Sequence, residues 1–172
     1  DHCPLALLLE SVLKSGCNDV YLCRNIKDTF FSYWHVSNKL GAESSLKEFF
    51  DMFCEGVSLS GPVWDHVLSY WRESLEKPEK VLFLKYEALQ EKPSFHLKLL
   101  AEFMGCPISP DEETCGFVDE VLGLCSFDNL SNLEANKSGT FKTVGNEMFF
   151  RKGKVGDWKN YLTGEMEERI DH

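Results

Sequence analysis

The sequence predicts an α/β fold built on a parallel sheet. Two short runs carry that expectation first. Residues 19–23, Asp19-Val20-Tyr21-Leu22-Cys23, and residues 81–84, Val81-Leu82-Phe83-Leu84, have the length and composition of buried strands. Several segments of helical periodicity separate them, the arrangement of a parallel sheet. The first run also passes through the polar pair Arg24-Asn25 directly into a helical pattern, which is half of a βα unit. In open α/β sheets that crevice is where ligands bind, with helix N–H groups turned toward anions. Two strands alone do not make a stable open sheet, so further strands are expected from other sequence or from a partner chain.

Taken in order, Asp1-His2-Cys3-Pro4 is a short extended start, because Pro4 disfavours helix in the residue before it. A short helix follows over 5–14 and stops at Ser15-Gly16. After the first strand, Ile26, Phe30, Tyr33, Ser37 and Leu40 recur on one helical face, and Gly41 closes that helix. Residues 45–54 read as a helix ended by Gly56. Gly61-Pro62 opens another, with Trp64, Val67, Leu68, Trp71 and Leu75 on its apolar face and Lys77-Pro78-Glu79 at its end. Trp64 and Trp71 are read as core. Beyond the second strand, a helix begins at Pro93 and ends at Gly105, and one helix is expected over 110–122 with an acidic first turn. Ser126 caps a short helix to Leu133, residues 136–155 read as one long loop, and Thr163 caps a terminal helix to Asp171. No repeat, low-complexity tract or internal domain boundary interrupts the chain.

Composition narrows the function classes. The 172 residues suffice for one domain with a sizeable core, and 43% hydrophobic and 13% aromatic content is that of a globular chain. No apolar run reaches the ~18 residues of a membrane span, so no membrane partner is expected. The net charge of −10 argues against nucleic acid as a partner. Seven cysteines without metal-ligand spacing give no zinc site and no disulfide framework, so reduced thiols and a cytoplasmic setting are expected. The native start is not implied, since Asp1 rather than Met opens the chain. Oligomeric state is not legible.

Against the acidic background, residues 136–160 sum to +4, with four cations and two glycines inside Arg151-Lys152-Gly153-Lys154-Val155-Gly156-Asp157-Trp158-Lys159-Asn160. A local cationic patch on an acidic protein suits one small anionic ligand, and glycine beside cations lets backbone N–H groups approach a phosphate. Arg24 at the end of a strand, Ser32 on the following helix and Arg151-Lys152-Gly153 therefore form one candidate anion site: a planar fork, a hydroxyl and an approachable main chain. Taken singly, Arg24 could instead pair with Asp28, and Ser32 could lie on a polar helix face. No Walker A and no G-x-G-x-x-G pattern is present. His35 and His96 have no ligand partners in the pattern, His66 reads as a capping or packing residue, and Cys125 as a buried thiol.

The runs Tyr21-Leu22-Cys23-Arg24-Asn25-Ile26-Lys27-Asp28-Thr29-Phe30-Phe31-Ser32 and Arg151 to Asn160 resemble the cytosolic sulfotransferase family. Residues 61–68 and 81–87 resemble its plant, flavonol-type branch, and the resemblance runs along essentially the whole chain. It implies a P-loop, nucleotide-kinase-like parallel sheet flanked by helices, of which 1–172 would be the C-terminal portion. It implies 3′-phosphoadenosine 5′-phosphosulfate (PAPS) as sulfo donor, a small hydroxyl acceptor such as a flavonoid or steroid, and no metal. Arg24, Ser32, Arg151, Lys152 and Gly153 would hold the 3′-phosphate, Tyr86 would lie beside the nucleotide, and Ser126-Phe127 would border the adenine. His2 aligns with the family's catalytic base, in a motif where Asp1 and Cys3 replace the family's Thr and Leu. The segment bearing the 5′-phosphosulfate loop and its lysine is not in the sequence, nor is the usual tail after Asp171. These residues alone are therefore expected to be inactive, and a truncated remnant that keeps only the 3′-phosphate half-site is the alternative reading.

Overall fold

The structure is a computed structural model that describes residues 14–58, 61–141 and 144–172. His2 and nearly all of the helix expected over 5–14 lie outside these residues. Strand β1 (Asp19–Cys23) pairs in parallel with β2 (Val81–Lys85), from Asp19 opposite Val81 to Cys23 opposite Lys85. The crossover between them runs through helices α1 (Ile26–Lys39), α2 (Leu46–Cys54) and α3 (Val63–Glu76). After β2 come α4 (Tyr86–Glu91), α5 (Pro93–Phe103), α6 (Pro110–Thr114), α7 (Phe117–Leu124), α8 (Phe127–Asn132) and α9 (Glu134–Lys137). A two-residue antiparallel ladder, β3 (Thr140–Phe141) with β4 (Val144–Gly145), leads to 3₁₀ turns at Asn146–Phe149 and Asp157–Asn160 and to α10 (Gly164–Asp171).

The main core is aromatic. Phe30 and Phe31 of α1 pack against Phe49, Phe50 and Phe53 of α2, and Leu162, Met166 and Ile170 close the cluster from the chain end. Phe30 is fully buried and meets the Phe50 ring edge-on at 5.3 Å, the geometry that ring quadrupoles favour. Lys27 joins α10 to this core. Its ammonium, buried at the base of α1, donates to Glu167 at 3.0 Å and Asp171 at 2.7 Å and stands 4.6 Å from the centre of the Trp158 ring. Helix α2 opens on a capping box: Ser45 accepts from the Glu48 N–H, and the Glu48 carboxylate accepts from the Ser45 N–H. Ser45→Ala should cost about 1 kcal/mol, read as a lowered urea midpoint with an unchanged slope.

Three local expectations are corrected, and one helix is added. The helix expected over 110–122 is two helices, because Gly116 sits at φ +80° and breaks the ladder, and α7 then runs on to Leu124. The long loop of 136–155 contains α9, the β3–β4 ladder and a 3₁₀ turn. Its elements are two to four residues long, too short to show a period. Helix α4 follows β2 without a break and gave no separate signal. Cys125 is exposed rather than buried, at the carboxyl end of α7.

Strand β1 is also less buried than its composition suggests. Val20 and Leu22 point to its second face and are 38% and 52% exposed. No helix among the described residues is long and apolar enough to cross a membrane.

Candidate functional site

The site grows out of the strand register. Cys23 lies opposite Lys85, so the next residues, Arg24 and Tyr86, leave the sheet side by side at its carboxyl edge. The Arg24 guanidinium carbon stands 4.9 Å from the centre of the Tyr86 ring, a stacking that fixes the plane of the fork. One terminal Arg24 nitrogen donates to the Lys154 carbonyl at 3.0 Å, and the Tyr86 hydroxyl donates to the Gly153 carbonyl at 3.0 Å. Both residues thereby grip the glycine-bearing loop. Asn25 turns the chain into α1 by accepting from the Lys27 N–H at 3.0 Å and donating its own N–H to Glu87 at 2.8 Å.

The far side of the loop is pinned by Asp28. This carboxylate is 1% exposed and accepts from the Gly156 N–H at 2.7 Å and the Trp158 N–H at 3.1 Å. Asp28 is thus committed to the loop and not to Arg24, which settles the pairing that the sequence left open. Gly153, at φ +62°, passes under the Phe127 ring, and a Cβ there would stand 2.5 Å from Phe127 Cδ2. The residue has to be glycine both for its backbone angle and for this approach.

Two cations rise from the loop and share one buried partner. Arg151 Nη1 donates to Asp157 Oδ2, Lys152 Nζ donates to Asp157 Oδ1 at 2.9 Å, and Asn160 Nδ2 donates to the same oxygen at 3.1 Å. Burial pushes the Asp157 carboxyl up, but the hydrogen bonds from Arg151, Lys152 and Asn160 outweigh it and hold it down at about 2. The Lys152 ammonium is raised in turn by Asp157 and by the Tyr161 hydroxyl. A carboxyl held below its unfolded value contributes stability above that value and loses it as pH falls through the folded one. Acid unfolding followed by circular dichroism should therefore show a component between about pH 4 and about pH 2. Asp157→Asn should lack it.

These groups converge on a cavity of about 360 Å³ whose lining includes Arg24, Ser32, Tyr86, Arg151, Lys152 and Gly153. Six of the seven residues singled out in the sequence thus come together, while His2 lies outside the described residues. Phe127 also lines the cavity, beside Gly153. Among the described residues the lining carries three cations and no carboxylate. Arg24 Nε is buried without a hydrogen-bond partner among the described residues, a state that native proteins rarely leave uncompensated. An anion's oxygen would satisfy it, so the residues present fit a nucleotide phosphate.

A family model described as the sulfotransferase domain matches residues 1–172. The chain belongs to the sulfotransferase family. Cytosolic sulfotransferase 5 of Arabidopsis thaliana is 53% identical, across 99% of this chain and 54% of its own length. Flavonol 4′-sulfotransferase of Flaveria chlorifolia is 47% identical, across 99% of this chain and 55% of its own length. A mouse sulfotransferase crystallised with PAP superimposes with a TM-score of 0.78 at 27% identity, covering 94% of this chain and 58% of the mouse one. The chain spans about half the length of the curated relatives it matches. The α/β class with a parallel sheet, expected from the sequence, is the class of this sulfotransferase fold.

A second cavity of this sulfotransferase chain, about 710 Å³, opens at the same strand edge between β1, β2 and α3. Trp64 and Trp71 line it and are 37% and 41% exposed, so the expectation that they are core is corrected. Their face of α3 is apolar and only partly covered, Trp64 meeting Phe53 and Trp71 meeting Phe83 edge-on. On the adjacent face, His66 packs as expected, sharing a hydrogen bond of 2.9 Å with the Tyr21 hydroxyl. Burial raises that phenol to about 12 and lowers the imidazole, so both are neutral at physiological pH.

Sequence reasoning missed four contributors to the first cavity and its support. Asp157 is an acid inside a basic run, five and six residues after the cations it holds, and that spacing was a readable signal. Asp28 read as a residue of a polar helix face that could pair with Arg24, and no pattern announced its loop partners. The aromatic pair Phe149-Phe150 lay in what read as loop. His35 sits one helical turn beyond Ser32 on the same wall, and its spacing alone said so.

Proposed function

We propose that this chain supplies the 3′-phosphate side of the donor site in a cytoplasmic sulfotransferase that moves a sulfo group from PAPS to a hydroxyl of a small acceptor. The observation that carries the reading is the convergence of Arg24, Ser32, Arg151, Lys152 and Gly153 on one cavity without a carboxylate among its described lining residues, together with the buried Arg24 Nε, which has no partner among the described residues. When bound, the donor supplies an activated sulfo group on its 5′-phosphate. Arg24 offers the 3′-phosphate a planar fork already oriented by Tyr86, and Arg151 and Lys152 add charge from the same lining. Gly153 lets the main chain approach, and Phe127 presents an aromatic face where the adenine would lie.

His2 is assigned the role of general base. A hydroxyl is a weak nucleophile while protonated, and an imidazole titrating near neutrality can take its proton as the oxygen attacks. A flavonoid or steroid acceptor is proposed on the plant relatives, one of which is named for flavonol sulfation. The donor is supported by the PAP held in the mouse neighbour.

Calorimetry with PAP on the intact protein tests the reading. Arg24→Ala should weaken binding by about 1.5–3 kcal/mol, the range of a charge-assisted hydrogen bond. Unchanged affinity would contradict the assignment. A panel of hydroxylated acceptors with labelled donor then identifies the acceptor class.

A further inference from the structure

The 3′-phosphate cavity contains one titratable group to which nothing above gives a role. His35 lies on α1, three residues after Ser32, and lines the same wall. The cations that act on it are Lys39 from its own helix and Arg151 from the glycine-bearing loop. Arg24, from the end of β1, and Lys152 complete the charged lining, and Tyr86 is its neutral phenol. No carboxylate among the described residues lines the cavity. Asp157, which does not line the cavity, accepts from Arg151 and Lys152.

We propose that His35 is a further binding residue for the nucleotide's 3′-phosphate, taking up a proton as the phosphate enters, so that donor affinity is coupled to pH. The inference rests on the reading of this cavity as the 3′-phosphate site. Without ligand, burial, Lys39 and Arg151 all disfavour the charged imidazole and hold it below its ordinary value. A phosphate carrying up to two negative charges reverses the sign of the local field. The imidazolium then gains a counter-ion and an acceptor for its N–H, and its proton affinity rises. The proton comes from solvent, and no bond other than N–H is made or broken.

The sign follows from linkage. A group whose proton affinity rises on binding strengthens the complex fully below its ligand-free value. That gain fades as pH climbs through the value in the complex. His35 therefore adds affinity on the acid side of neutrality and adds none well above it. The phosphate's own second ionisation, near pH 6, acts in the opposite direction, but it is common to all variants and cancels in the comparison between them.

The test is isothermal calorimetry of PAP binding to the intact protein and to His35→Gln, at pH 6.5 and 8.5, in two buffers of different ionisation enthalpy. The wild-type protein should take up a fraction of a proton per PAP at pH 6.5, with His35→Gln taking up measurably less. The variant should bind PAP a few-fold more weakly at pH 6.5 and indistinguishably at pH 8.5, since the factor of ten per unit of raised proton affinity is reached in full only below the ligand-free value. A nucleotide without the 3′-phosphate, adenosine 5′-phosphate, should show no difference between the two proteins. Equal proton uptake and equal affinity in both proteins would overturn the role of His35 while leaving the Arg24-dependent site standing. A parallel weakening at both pH values would also overturn it, by showing a contact without protonation. Failure of PAP to bind the wild-type protein would remove this inference together with the reading it rests on.

Discussion

Replacing Asp28 by alanine should destabilise the protein by about 3–5 kcal/mol, read as a shifted midpoint in urea unfolding. The carboxylate is 1% exposed and accepts from two backbone N–H groups that belong to the glycine-bearing loop. Its removal leaves two donors without a partner in a place where water has little access. Each such loss costs about 1–3 kcal/mol. The variant also removes the tie between α1 and the loop that presents Arg151 and Lys152, so PAP affinity should fall with stability. Asp28→Asn keeps one acceptor and the side-chain shape, and should fall between wild type and alanine. A loss below about 1 kcal/mol for Asp28→Ala would mean that the loop is held elsewhere and that Asp28 is a bystander.

The second large effect concerns turnover. In the intact protein, His2→Ala should lower the proposed sulfo-transfer turnover by about 10²–10⁴-fold, the usual contribution of a positioned general base. PAP affinity should stay within about twofold, because the proposed 3′-phosphate residues come from other segments. The two measurements separate chemistry from binding. Retained turnover would remove His2 from the mechanism. Loss of nucleotide affinity along with turnover would place the defect in folding.

The sequence showed the parts of the site that depend on local pattern. Arg24 could be placed at a strand end because Asp19 to Cys23 is a strand-forming run that breaks at a polar pair. Ser32 followed from the helical period of α1. The helices framed by Ser45, Pro93 and Thr163 were legible because capping and turn chemistry is written in neighbouring residues. What stayed hidden depends on partners far along the chain. Asp28 meets Gly156 and Trp158 across about 130 residues, and a single sequence carries no record of that pairing. The ladder of Thr140 and Gly145 is two residues long and offers no alternation to detect. The misplacement of Trp64 and Trp71 has another cause. Periodicity says that a face is apolar, but not what covers it, and here the face opens on a cavity.

Arg24, Ser32, Arg151, Lys152 and Gly153 are proposed to form a pocket for a 3′-phosphate. The most direct measurement compares two ligands on the intact protein by calorimetry: PAP and adenosine 5′-phosphate, which differ only in that phosphate. Three cations and a main-chain cradle around one dianion predict tighter binding of PAP by about a hundredfold or more, with the preference falling steeply in Arg24→Ala. Equal affinity for the two nucleotides would contradict the account.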